Sequence, residues 1–125
     1  ECDFIIVTLP LTDQTRGLIG ADELKAFKQG SHLIMVSRGG IVDEAAVTEA
    51  LIDKHLAGAA LDVFSKEPLP AESPLWKVPN LILTPHVSGF SAKYKERAGM
   101  RFAENLDRYL HGEPMRNKFD PERSY

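Results

Sequence analysis

The chain has 125 residues, 43% hydrophobic and 26% charged, with a formal charge of −3 from 15 Lys and Arg against 18 Asp and Glu. That is enough chain for one domain with its own core, and scattered, mixed charges argue against a nucleic-acid partner. No apolar run approaches the roughly 20 residues of a membrane-spanning helix, and a lone cysteine, Cys2, leaves no internal disulfide and points to a reducing, cytoplasmic setting.

Strand and helix signals alternate along the chain. Phe4 to Leu9 is a short, almost wholly apolar run, as expected of a strand buried on both faces of a parallel sheet, with Pro10 ending it. Cys2 is expected to be buried beside it. Ala21 to Lys28 reads as a short helix with Leu24 and Phe27 on one face, closed by Gly30. His32 to Val36 reads as the second strand. Asp43 is a good N-cap for a helix from Glu44 to Lys54, with Val42 and Val47 as a hydrophobic staple. Its buried stripe is Ala46, Val47, Ala50 and Leu51.

Gly58 to Val63 reads as the third strand. Ser65 to Pro79 carries four prolines and no periodicity, so a long surface loop is expected, with Trp76 as its anchor. Leu81 to Thr84 is the fourth strand. Ser91 is expected to cap a long amphipathic helix ending near His111, with Ala98, Phe102, Leu106 and Tyr109 on its buried face. Lys93, Arg97, Arg101, Glu104 and Arg108 are expected to point outward. Gly112 stops the helix, and the polar tail from Arg116 to Tyr125 is expected to be loosely held.

Strands separated by helices imply an α/β fold with a parallel sheet, and such sheets bind ligands beyond the carboxyl ends of their strands. Three side chains suited to acid–base chemistry fall there: Arg38 after the second strand, Glu67 after the third and His86 after the fourth. By residue type alone Arg38 is as readily a surface ion-pair partner, Glu67 a solvated acid and His86 a turn cap. Their joint placement on one rim favours chemistry. A His moves protons near neutral pH, and a neighbouring carboxylate favours its charged form and fixes its tautomer. A guanidinium grips a carboxylate in a bidentate fork. Interconverting a 2-hydroxy acid and a 2-oxo acid needs these groups, plus a cofactor for the hydride. His32, His55 and His111 show no ligand spacing, so no metal site is expected.

At these positions the chain resembles the D-isomer-specific 2-hydroxyacid dehydrogenase family. The resemblance rests on Leu9-Pro10-Leu11-Thr12 with Thr15-Arg16-Gly17-Leu18-Ile19, on Arg38-Gly39-Gly40-Ile41-Val42-Asp43-Glu44, on Leu61-Asp62-Val63-Phe64 with Glu67-Pro68-Leu69-Pro70, and on Thr84-Pro85-His86 with Gly89. It implies a Rossmann-like parallel sheet, the second half of a dinucleotide-binding domain, plus a long C-terminal helix. It implies that Arg38 binds the substrate carboxylate and carbonyl, that His86 is the acid/base and touches substrate, and that Glu67 pairs with His86. It implies NAD or NADP as cofactor, with contacts near Leu9, Pro10, Thr15, Ser37, Arg38, Asp62, His86 and Gly89. Asp62 is implied to hold the nicotinamide carboxamide or its ribose; capping a turn at the strand end is an equal reading of the same residue. The carboxylate at Glu67 departs from the similar formate dehydrogenase branch, which has an amide there.

The family's Gly-x-Gly-x-x-Gly loop is missing, and so is the residue that selects NAD over NADP. The expected layout is a partial dinucleotide-binding domain over 1–90, a return helix over 91–112 toward a missing substrate domain, and a polar tail over 113–125. The chain is thus expected to be a piece of a larger enzyme, inactive alone, with an apolar edge at its first strand. The resemblance implies a small 2-oxo or 2-hydroxy acid as substrate and a homodimeric full-length protein. A nucleotide-binding, corepressor-like interaction module without turnover is the alternative.

Overall fold

The apolar runs assemble into one parallel sheet in the order β1 (Phe4–Val7), β2 (Ser31–Met35), β3 (Leu56–Leu61), β4 (Leu81–Leu83). The computed structural model describes residues 2–122. Between the strands lie α1 (Ala21–Ala26), α2 (Glu44–Ile52) and a 3-10 turn at Pro74–Lys77; α3 (Tyr94–Leu110) follows β4. The register pairs Val7 with Met35, Met35 with Leu61 and Leu61 with Leu83. The carboxyl ends of all four strands are therefore level, and the segments leaving them form one rim.

One face of the sheet carries the core. Val7, Leu33, Met35, Ala59 and Leu61 are buried there, in one cluster with Leu24 from α1 and Val47 and Leu51 from α2. Asp43 caps α2 as its side chain predicts, Oδ1 accepting from the backbone N–H of Ala45 (2.9 Å) and Ala46 (3.2 Å). Val42 and Val47 are both buried.

The structure corrects several expectations. β1 is not covered on both faces: Phe4 and Ile6 are 63% and 58% exposed, because every helix packed on the sheet lies on the Val7 side. Phe4 instead stacks on the His32 ring, centroids 5.1 Å apart. Cys2 is exposed. β3 starts at Leu56, earlier than its small residues suggested, because Leu56 is itself core. The proline-rich loop contains the 3-10 turn, which buries Leu75; Trp76 remains half-exposed, its Nε1–H donating to the Pro70 carbonyl at 2.8 Å.

By its internal contacts the chain divides into Glu1–Ser88 and Gly89–Tyr125. In the second unit, Lys93 rather than Ser91 is the N-cap of α3, without a side-chain cap bond. Ala98, Phe102, Leu106 and Tyr109 are all exposed, not buried. The helix is amphipathic, and its apolar stripe is exposed. The tail begins more firmly held than its polarity suggested. Asn105 exchanges two hydrogen bonds with the Arg116 backbone (2.9 and 2.8 Å), and Arg116 pairs with Glu104 at 2.6 Å. Residues 123–125 of the expected tail lie outside the described residues.

Candidate active site at the carboxyl rim of the sheet

Strand register delivers the rim segments side by side, and hydrogen bonds stitch them together. After β1, Thr15 Oγ1–H donates to the Pro10 carbonyl (2.7 Å), and the Gly17 N–H donates to Gly40 O (2.8 Å) in the turn after β2. Leu9 is exposed at this point and Pro10 half-buried. Ser37 is buried, its hydroxyl turned to Met35 Sδ. Arg38 is exposed, its guanidinium donating to the Ser37 carbonyl at 2.8 Å. It makes no ion pair among the described residues, so its charge is available to an anion.

Gly39 locks this turn onto the segment after β3. A Cβ at Gly39 would lie 1.9 Å from Phe64 O and 2.1 Å from its carbonyl carbon, so only glycine fits. The Phe64 N–H donates to Glu67 Oε1 at 2.9 Å, and the other oxygen, Oε2, meets His86 Nδ1 at 2.8 Å. The Ser65 N–H donates to Glu44 Oε1 at 2.5 Å, fixing the same segment to the start of α2.

Glu67 and His86 thus form a direct pair, with side chains 34% and 42% exposed. The hydrogen bond from His86 and then that from the Phe64 N–H hold the Glu67 carboxyl below its usual range. An ionised carboxylate only accepts, so Nδ1 carries the proton in this bond. Nε2 has no protein partner among the described residues and stands open for proton exchange.

Asp62 sits just behind His86, 3% exposed. Its Oδ1 accepts from the Thr84 hydroxyl (2.5 Å) and the Val87 N–H (2.9 Å), and its Oδ2 from the Ser88 N–H (2.9 Å). Burial alone would push this carboxyl up. The donors of Ser88, Thr84 and Val87 outweigh burial and hold it well below the usual carboxylate range. Of the two readings of Asp62, this geometry displays the turn cap. Gly89 opens the second unit, with nothing within 4 Å of where its Cβ would lie.

The structure therefore joins Glu67 directly to His86, and joins the Arg38 turn to them through Gly39 and Phe64. Thr84, Glu44 and the Phe64 N–H complete the arrangement and were not assigned roles from sequence. Thr84 and Glu44 stood within the motifs; a backbone N–H carries no sequence signal at all.

The profile of the D-isomer specific 2-hydroxyacid dehydrogenase NAD binding domain matches residues 1–88. This chain belongs to that family. It is 44% identical over 124 residues to a glyoxylate/hydroxypyruvate reductase B of Pectobacterium carotovorum, covering 98% of this chain and 38% of that protein. It is 44% identical over 110 residues to an (S)-sulfolactate dehydrogenase of Chromohalobacter salexigens, covering 88% of this chain and 36% of that protein. A crystal structure of a D-isomer specific 2-hydroxyacid dehydrogenase from Xanthobacter autotrophicus Py2, in complex with NADPH and MES, superposes with a TM-score of 0.89 at 44% identity. That match covers 98% of this chain and 50% of the solved one. The chain thus spans little more than a third of the length of the curated relatives it matches. The fold is the Rossmann-like parallel sheet of these NAD-binding domains.

The rim residues fit the nicotinamide end of a dinucleotide. They offer apolar surface at Leu9 and Pro10, a cation at Arg38 and an open imidazole nitrogen. Nothing on this chain matches a glycine-rich pyrophosphate loop.

Proposed function

We propose that this chain contributes half of the cofactor domain, and the acid–base groups, of an oxidoreductase working between NAD(P)H and a small 2-oxo or D-2-hydroxy acid. The observation that carries this reading is the Glu67–His86 pair, with Nδ1 committed to the carboxylate and Nε2 free. Bound nicotinamide supplies or takes up the hydride.

The chain's own residues do the rest. Arg38 grips the substrate carboxylate and orients the neighbouring carbonyl. His86, protonated on both nitrogens, gives its Nε2 proton to the carbonyl oxygen as the hydroxyl forms, and takes it back in the oxidative direction. Glu67 accepts from Nδ1 throughout, so it stabilises the imidazolium and keeps Nε2 aimed outward. Leu9 and Pro10 provide apolar surface to the cofactor, Thr15 braces the Pro10 carbonyl, and Ser37 borders the same rim.

The relatives direct the choice of substrates. The full-length protein carrying this chain should oxidise NADPH or NADH in the presence of glyoxylate or hydroxypyruvate, followed by loss of reduced-cofactor absorbance. No turnover with any 2-oxo acid, while cofactor still binds and changes association with a partner, would replace the enzyme by the interaction-module reading.

A further inference from the structure

His86 carries an unusual backbone. Its φ is +55°, in the left-handed region that non-glycine residues rarely adopt. Such a conformation persists only where its surroundings over-determine it. On one side the Thr84 N–H is bonded to Leu61 O (3.1 Å), and the His86 N–H donates back to Thr84 O (3.0 Å). Three further restraints on the backbone come from one side chain. The Asp62 carboxylate takes the Thr84 hydroxyl before His86 and the Val87 and Ser88 amides after it.

We propose that Asp62 is a positioning residue, which holds the turn 84–88 so that the His86 ring meets Glu67. This rests on the reading of His86 as the proton-transfer group. Three donors converge on two oxygens, and only a carboxylate offers acceptors on both sides. An amide would turn an N–H toward at least one of those donors. The turn would then lose a restraint on one flank of His86. The ring direction depends on the backbone there, because the Nδ1 bond to Glu67 spans 19 residues of chain and has no slack at 2.8 Å.

The test is the tautomer of His86, read from long-range 1H–15N correlations of the labelled chain at a pH where the imidazole is neutral. The wild type should show the Nδ1–H form dominating. Asp62→Asn should shift the population toward the Nε2–H mixture of an unpaired imidazole, and in the full-length enzyme should lower kcat at least tenfold with cofactor Kd unchanged. An unmoved tautomer, or a weakened cofactor Kd with the tautomer unmoved, overturns the proposal and makes Asp62 a direct cofactor contact. Should Asp62→Asn fail to fold, Thr84→Val decides. It removes one of the three donors, and a partial tautomer shift supports the proposal while none overturns it. The two readings fail separately. Undiminished turnover in His86→Ala defeats the proton-transfer role, whereas an unmoved tautomer defeats only the positioning role of Asp62.

Discussion

A carboxylate and an imidazole 2.8 Å apart divide the labour of the His ring between its two nitrogens. Because Nδ1 is tied to Glu67, the proton transfer proposed for His86 uses Nε2. Glu67 also reports on stability. Its folded-state carboxyl lies below the ordinary value of 4.5, through the His86 bond first and the Phe64 N–H second. A depressed carboxyl adds stability above its unfolded value, and that stability is lost as pH falls through the folded one. The wild type should therefore exceed Glu67→Gln in urea-unfolding stability at pH 7, and the gap should close on acidification below pH 4.5. A gap independent of pH would show that the carboxylate charge plays no part. The meeting of Glu67 and His86 was legible in the sequence, because their residue types and strand-end positions agreed. The role of Thr84 was not legible, because a hydroxyl beside a proline reads the same whether or not a buried acid waits across the next strand.

At the scale of elements, close backbone approach holds the site together. Gly39 lets the turn after β2 touch the Phe64 carbonyl, and Phe64 in turn orients Glu67. Gly39→Ala must push that backbone away, since the obstructing atoms are not a movable side-chain tip. It should destabilise the chain by about 1–3 kcal/mol, typical of overpacking, and perturb the amide resonances of Phe64 and Ser65 in a 15N spectrum. A neutral effect on both would remove Gly39 from the account. Strands and α2 were readable because apolar runs and the Asp43 cap act locally. The cover of α3 was not readable. Its stripe of Phe102, Leu106 and Tyr109 states that one face is apolar, and periodicity says nothing of what lies against it.

At the scale of the whole molecule, the sheet has one packed face and one open face. Phe4 and Ile6 stand exposed on the edge strand β1, and unpaired edges with apolar side chains invite association. The isolated chain should show concentration-dependent association by light scattering. Phe4→Lys with Ile6→Lys should reduce it while changing stability by no more than about 0.5 kcal/mol, as for surface substitutions generally. Persistent association in the double variant would place the sticky surface elsewhere. The family resemblance anticipated this edge, while the apolar run overstated its burial, since apolar content cannot show whether both faces of a strand have neighbours.

The acid–base role proposed for the Glu67–His86 pair is tested most directly by one comparison. Steady-state reduction of glyoxylate by the full-length protein should fall by about 10²–10⁴-fold in kcat for His86→Ala, the usual worth of a positioned acid–base group, far more than any loss of affinity for reduced cofactor. A His86→Ala enzyme turning over at the wild-type rate would contradict the account.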